Sequence, residues 1–206
     1  MLYGAYGLMV ALFDDENPEP EGALPNYKEC FELGELNELN EAPVFSEAKA
    51  YGNNRLARHV YEFKEAGVDI TILDMLREHA AKISGSTLDA EGTTPRALHF
   101  GAEDNAPYCG IGFYSCEMLA GNKKAYIGVV YPKGKSNMQG QAYTTKGENI
   151  TLAGRKLKFL CSACKNPTKD WKLESPYFDT EEEAWNWVKT ILKPKGAAAS
   201  AGEGTA

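Results

Sequence analysis

The sequence predicts an α+β domain dominated by β, an antiparallel β-sandwich or barrel-like body with one flanking helix mid-chain and one at the C-terminus. Three observations carry that expectation. Apolar and polar residues alternate with period two over several runs, as a half-buried strand requires. Clusters of Gly, Asn and Pro punctuate those runs at hairpin spacing. Only two segments show the helical period, with a cap residue ahead of each.

The elements follow in order. Leu2–Phe13 reads as the first strand and ends at an acidic, Pro-containing loop, Asp14–Pro25. Cys30–Leu33 is a short strand, and Val44–Tyr51 a longer one that leads into the turn cluster Gly52-Asn53-Asn54. His59, Tyr61 and Phe63 alternate with polar neighbours, and Val68, Ile70 and Ile72 do the same after Glu65-Ala66-Gly67. The pattern predicts a hairpin turning at those three residues. Asp74 is placed to cap a helix over Met75–Ile83, which Gly85 stops. Residues 84–106 read as a long loop, longer than a plain connection needs.

The second half is richer in strands. Tyr108–Leu119 and Lys123–Tyr131 flank Ala120-Gly121-Asn122 as a hairpin. Strands are also expected at Met138–Thr144, Asn149–Cys161 and Trp171–Phe178. Thr180 and Glu183 form a capping box before a helix over Glu181–Leu192. Pro194 ends that helix, and a Gly/Ala-rich tail follows, so the domain is expected to span residues 1–193 and the flexible tail 194–206.

Composition narrows the function classes. With 43% hydrophobic residues and mean hydropathy -0.41, the chain has ample material for a core. Its net charge of -7, from 22 bases and 29 acids, argues against a general nucleic-acid binder. The charges are segregated: residues 14–47 hold eleven acids and one base (Lys28), and residues 123–172 eleven bases and two acids. Met1–Phe13 is apolar but lacks a basic flank, so neither a signal peptide nor a membrane span is expected there. Five cysteines, an odd number, read as reduced thiols of a cytoplasmically made chain.

The chemical motifs give no catalytic constellation, and neither a cofactor nor a metal is expected. Gly134-Lys135-Ser136 resembles the end of a phosphate loop, but position 129 is Val where that loop needs Gly. Gly110-x-Gly112 sits in a strand, where glycine marks a bulge or a close backbone approach. Cys161-x-x-Cys164 lacks a second ligand pair, since Cys109 and Cys116 point to opposite faces of an extended strand. His59, His79 and His99 have no metal-ligand spacing, and no nucleophile elbow occurs. One binding reading stays open. Tyr126, Tyr131, Tyr143, Phe159 and Trp171 interleave with the basic stretch, a pattern that suits a single-stranded nucleic-acid-binding β-barrel.

Several dispersed segments, taken in order, resemble a known family. They are Ala48–Asn54, the hairpin region Arg58–Asp74 with the helix ending at Ile83-Ser84-Gly85, the glycine-rich Tyr108–Tyr114, the basic turn Tyr131–Lys135 and the finish Tyr177–Trp185. This order resembles the major tail (tail tube) proteins of long-tailed bacteriophages, in particular the phi13-type major tail protein group, over about residues 2–192. The acidic Asp14–Pro25 and the Ala/Gly tail depart from it. The resemblance implies a tail tube fold whose copies form hexameric rings stacked into a tube, a conduit for viral DNA rather than an enzyme. It implies as partners further copies of the chain, a tape measure protein, a tail terminator, distal tail or baseplate proteins, and double-stranded DNA in transit without specific binding, but no membrane. It also implies a virion tail assembled in the host cytoplasm. A tube protein of a contractile or secretion apparatus is the related alternative. Within that frame Glu62, Glu65, Asp69 and Asp74 are candidates to face the lumen. Lys133, Lys135 and Lys146 are candidates for a basic patch that meets the acidic 14–47 segment of another copy.

Overall fold

The computed structural model describes residues 2–92, 94–138, 140–141, 143 and 154–195. In chain order the elements are β1 (Leu2–Phe13), β2 (Tyr27–Glu32), β3 (Leu36–Gly52), β4 (Arg55–Ile72), α1 (Arg77–Ser84), β5 (Thr87–Leu88), β6 (Leu98–His99), β7 (Tyr108–Met118), β8 (Lys124–Met138), β9 (Arg155–Cys161), β10 (Leu173–Glu174) and α2 (Glu181–Ile191). The main sheet is antiparallel in the order β2-β1-β7-β8-β9-β4-β3, with β10 against β8, while β5 and β6 form a small separate ribbon. The fold is α+β, mainly β and barrel-like, with the two helices expected.

Strands far apart in the sheet share one core, so the sheet must curl. Leu8 and Val10 of β1 meet Val68, Ile70 and Ile72 of β4, Ile111 of β7 and Phe159 of β9, all almost fully buried. The opposite face of the same strands is covered too. Met9, Ala11 and Val130 pack against Val188 of α2 and Leu192, the residue that caps it. Buried on both sides, β1 carries the near-continuous apolar run Leu8–Phe13 rather than an alternation.

The glycine-rich strand is the floor under α2. A Cβ on Gly112 would lie 2.5 Å from Val188 Cγ1, and one on Gly128 2.9 Å from the Ala184 carbonyl oxygen. Only glycine lets the helix approach this closely. The capping box at Thr180 and Glu183 starts α2 as the sequence predicts, with the Glu183 N–H donating to Thr180 Oγ1 at 3.3 Å.

Pro132 sits inside β8, where Pro132 and Lys133 oppose the single residue Gly110. At such a bulge the missing N–H costs no ladder bond. Before it β8 pairs with β10; beyond it β8 pairs with β9. Tyr27 fixes the kink by donating its hydroxyl to the Pro132 carbonyl at 2.8 Å.

Several expected boundaries are corrected. No turn forms at Glu65-Ala66-Gly67: β4 runs unbroken, and Ala66 and Gly67 pair with β3 on one side and β9 on the other. What resembled a break is a one-residue bulge, since Val44 opposes Glu65 and Phe45 opposes Phe63, leaving Lys64 extra. The hairpin turns instead at Asn53-Asn54, both with positive φ (51° and 60°), the geometry of a two-residue primed turn. Asp74 does not cap α1, which starts at Arg77 without a side-chain cap; its carboxylate accepts from the Glu35 N–H at 3.3 Å. Gly85 does end α1, in the left-handed region.

Other elements shift in length. β3 begins at Leu36 and passes through Pro43, and the last expected strand shrinks to β10 plus a bridge from Phe178 to Tyr126. The long loop contains the β5–β6 ribbon, held by Asp89 accepting from the Ala97 N–H at 2.8 Å. Of the strand expected at Met138–Thr144, Met138 ends β8 and Gly140, Gln141 and Tyr143 lie outside strands. Its remainder, residues 149–153 and most of the tail lie outside the described residues.

The glycine floor makes a direct prediction. Gly128→Ala lowers the unfolding free energy by about 1–3 kcal/mol, read by chemical denaturation, because its methyl group meets helix backbone. Gly140→Ala, with open space around it, changes stability by less than about 0.5 kcal/mol.

Candidate assembly surface

The β3–β4 hairpin outgrows the sheet that carries it. β9 is seven residues long and pairs with β4 only over Ala66–Ile72. From Arg55 to Glu65, β4 has β3 as its one ladder partner among the described residues, and β3 has β4. Residues 44–65 therefore form a projecting arm with two open backbone edges. Nine residues at about 3.3 Å each give it a length of roughly 30 Å.

Its side chains mix charged residues with large apolar ones that lie open to solvent. Tyr51 is 71% exposed, Tyr61 62% and Val60 59%, with Leu56, Val44 and Phe45 also open to solvent. On the core-side face an aromatic ladder runs from the body into the arm. Trp171 stacks on Phe63 at 4.7 Å, Phe63 meets Phe45 edge-on at 5.8 Å, and Phe45 stacks on Tyr61 at 4.8 Å. The ladder fixes the arm's direction relative to the core. Farther out Glu47 accepts from Lys49 at 2.5 Å and meets His59 at 2.6 Å; the Lys49 bond, then that to His59, holds its carboxyl below the usual carboxylate range.

The bulge at Lys64 decides where the four acidic candidates stand. By plain alternation Glu62 and Glu65 would point to opposite faces. With one residue extra, Glu62, Glu65 and Asp69 fall on the face away from the core; Asp74 lies beyond β4, beside Glu35. That face also carries Lys156 and Lys158 of β9, and Lys158 lies 3.7 Å from Asp69. It is mixed in charge rather than acidic.

The segregated charges meet within one chain. Lys133 lies 2.8 Å from Glu19, with only 14% and 15% of the two side chains exposed, and Lys165 reaches the same carboxylate at 3.9 Å. Lys172 bridges Glu41 at 2.9 Å and Glu174 at 2.8 Å. Lys133 is thus committed to the acidic loop of its own copy. Lys135 donates to Asn105 Oδ1 at 2.7 Å beside the Tyr108 ring, and Lys146 lies outside the described residues.

Sequence reasoning missed a cavity of about 500 Å³ at the seam between the starts of β1 and β3. Phe113, Ile127 and Val129 form its floor, and Glu38, Glu41, Glu117, Glu174 and Lys172 its rim. The floor residues alternate like any core strand. Only the incomplete closure of the curled sheet opens them, which no local pattern encodes.

The thiols and interleaved aromatics are largely sequestered. Cys109 and Cys161 share the inner core; burial drives the Cys109 thiol well up, and burial followed by nearby Glu41 pushes Cys161 to about 12. Burial, with Glu19 next, pushes Cys164 to about 12 as well. Tyr131 and Phe159 lie in the core, whereas Tyr143 is 92% exposed. No helix among the described residues is long and apolar enough to cross a membrane. No family model matches the chain, and no curated protein matches it at a significant level.

Two predictions follow from these burials. Glu19→Gln alone destabilises by about 2–3 kcal/mol, since it leaves the mostly covered Lys133 charge unpaired; Lys133→Met costs less, because Lys165 still reaches Glu19, and the double variant costs less than the sum of the two. For the thiols, native protein at pH 8 reacts with iodoacetamide at Cys30, the half-buried one, far faster than at the other four. The unfolded chain releases thiol protons near pH 8.5. The folded chain holds them higher, so this contribution to stability is intact below that pH and falls as pH rises toward 12, read as a declining melting temperature.

Proposed function

We propose that the chain is a structural subunit of a bacteriophage tail tube, assembling as rings that stack into a hollow conduit for DNA. The single observation that supports this most is the arm: two open strand edges and apolar side chains on both faces, held in one direction by an aromatic ladder. An isolated subunit would expose this surface as an aggregation hazard. In a ring, β3 of one copy lies beside β4 of the next. Rotational symmetry keeps every β3 parallel to the others, so each new β3–β4 pair is antiparallel, like the pair inside the hairpin. Pairing of this kind between neighbouring arms leaves no copy with an open edge.

The outer face of β3, β4 and β9, with Glu62, Glu65, Asp69, Lys156 and Lys158, becomes the lumen wall in this reading. A wall of mixed charge gives phosphates no continuous basic track, which suits DNA that slides through and does not bind. The role is structural, not catalytic, and the place of action is the virion tail. The tape measure protein, tail terminator and distal tail or baseplate proteins belong to the same proposal through the family resemblance. Burial of Tyr131 and Phe159 in the core favours this reading over stacking on single-stranded nucleic acid.

Electron microscopy of the purified chain should show rings about 10 nm across, the width of six such domains around a lumen, and tubes built from them. Replacing residues 47–61 by an Asn-Gly turn, which removes the outer arm and keeps Ser46 opposite Glu62, should leave a folded monomer and no rings. A wild-type chain that stays monomeric at high concentration contradicts the proposal.

A further inference from the structure

The seam cavity and the arm tip are complementary surfaces that one molecule cannot bring together. The cavity combines an apolar floor (Phe113, Ile127, Val129) with a rim of four carboxylates and one lysine, and that lysine is already bridged by Glu41 and Glu174. Such a site favours an apolar body flanked by positive charge. The tip has that character. Tyr51 and Leu56 expose most or half of their surface, Arg55 and Arg58 make no ion pair among the described residues, and the Asn53-Asn54 turn between them holds a fixed shape.

A copy cannot seat its own arm tip in its own cavity. Glu41 stands at the cavity, and Gly52 ends the same strand eleven residues farther on. At about 3.3 Å per residue, the tip lies roughly 35 Å away along a continuous hairpin. An arm tip seated there therefore belongs to a second copy, displaced along the arm by about that length.

We propose that the arm tip of each subunit, with Leu56 and Tyr51 inward and Arg55 and Arg58 on the acidic rim, docks into the seam cavity of a subunit in the neighbouring ring. The inference rests on the assembly reading above and adds what joins one ring to the next. Tip and cavity are different patches, so the contact is heterologous, and displacement along the arm makes it open-ended instead of closing on itself. Edge pairing between arms closes the ring; tip docking stacks rings at a repeat of about 35 Å, shortened somewhat by strand twist.

Arg55→Glu with Arg58→Glu tests this, because both residues are exposed and their change leaves the fold intact. By electron microscopy this variant should keep single rings and lose tubes, with mean tube length falling at least tenfold. Mixing it with a Glu117→Lys, Glu174→Lys chain, whose rim is reversed, should restore mixed stacks. Separately, a short bismaleimide linker should join Leu2→Cys of one copy to Leu56→Cys of another, located by peptide mass spectrometry. Tubes of normal length from the double-glutamate variant, or linkage of Leu2→Cys to any other segment, overturns the inference while leaving ring formation standing. A wild-type chain that forms neither rings nor tubes overturns both readings together.

Discussion

A seven-residue strand cannot cover an eighteen-residue one. That mismatch between β9 and β4 leaves residues 44–65 with hydrogen-bonding edges that no other strand among the described residues satisfies. Solvent can serve those groups in a lone copy, but Val44, Phe45, Tyr51, Leu56, Val60 and Tyr61 beside them are apolar or aromatic surface that water does not favour. The stacked run from Trp171 through Phe63 and Phe45 to Tyr61 keeps the arm from folding back on the body. The proposed pairing with another copy would cover both the open edges and the exposed apolar side chains of this element.

The body is organised to hold that arm in place. β1, β7 and β8 are buried on both faces, by the curled sheet on one side and by α2 on the other. The glycine floor sets the distance of α2, and the bulge at Pro132 turns β8 from β10 toward β9, which carries β4. The acidic loop closes over this kink through the Glu19–Lys133 pair. The segregation of charge along the chain is therefore resolved in part within one copy, and the surface that the proposed assembly would use is chiefly the arm and the acidic seam.

Much of this was legible in residue order. β1, the turn at Asn53-Asn54, both helices and the role of Gly110 and Gly112 in close packing follow from local pattern, because each depends on neighbours within a few positions. The break expected at Glu65-Ala66-Gly67 failed because small residues mark turns and also mark tightly paired strand interiors. Only the partner strand β9, ninety residues away, distinguishes the two. The bulge at Lys64 was hidden for the same reason, although it brings Glu62 and Glu65 to one face. Asp74 had the right chemistry for a cap, but the chain passes it to Glu35 instead. The seam cavity depends on how far the sheet curls, a sum over all its strands, and no segment announces it.

The central claim is that the arm's open edges are paired by another copy. Hydrogen–deuterium exchange with mass spectrometry, on dilute and on assembled protein, reads those edges directly. The account predicts fast exchange of the outward amides of residues 44–63 in dilute protein and at least about a hundredfold slowing in assembled particles, with the buried β1 and β7 amides slow in both. Particles whose arm amides exchange as fast as in the dilute subunit would contradict it.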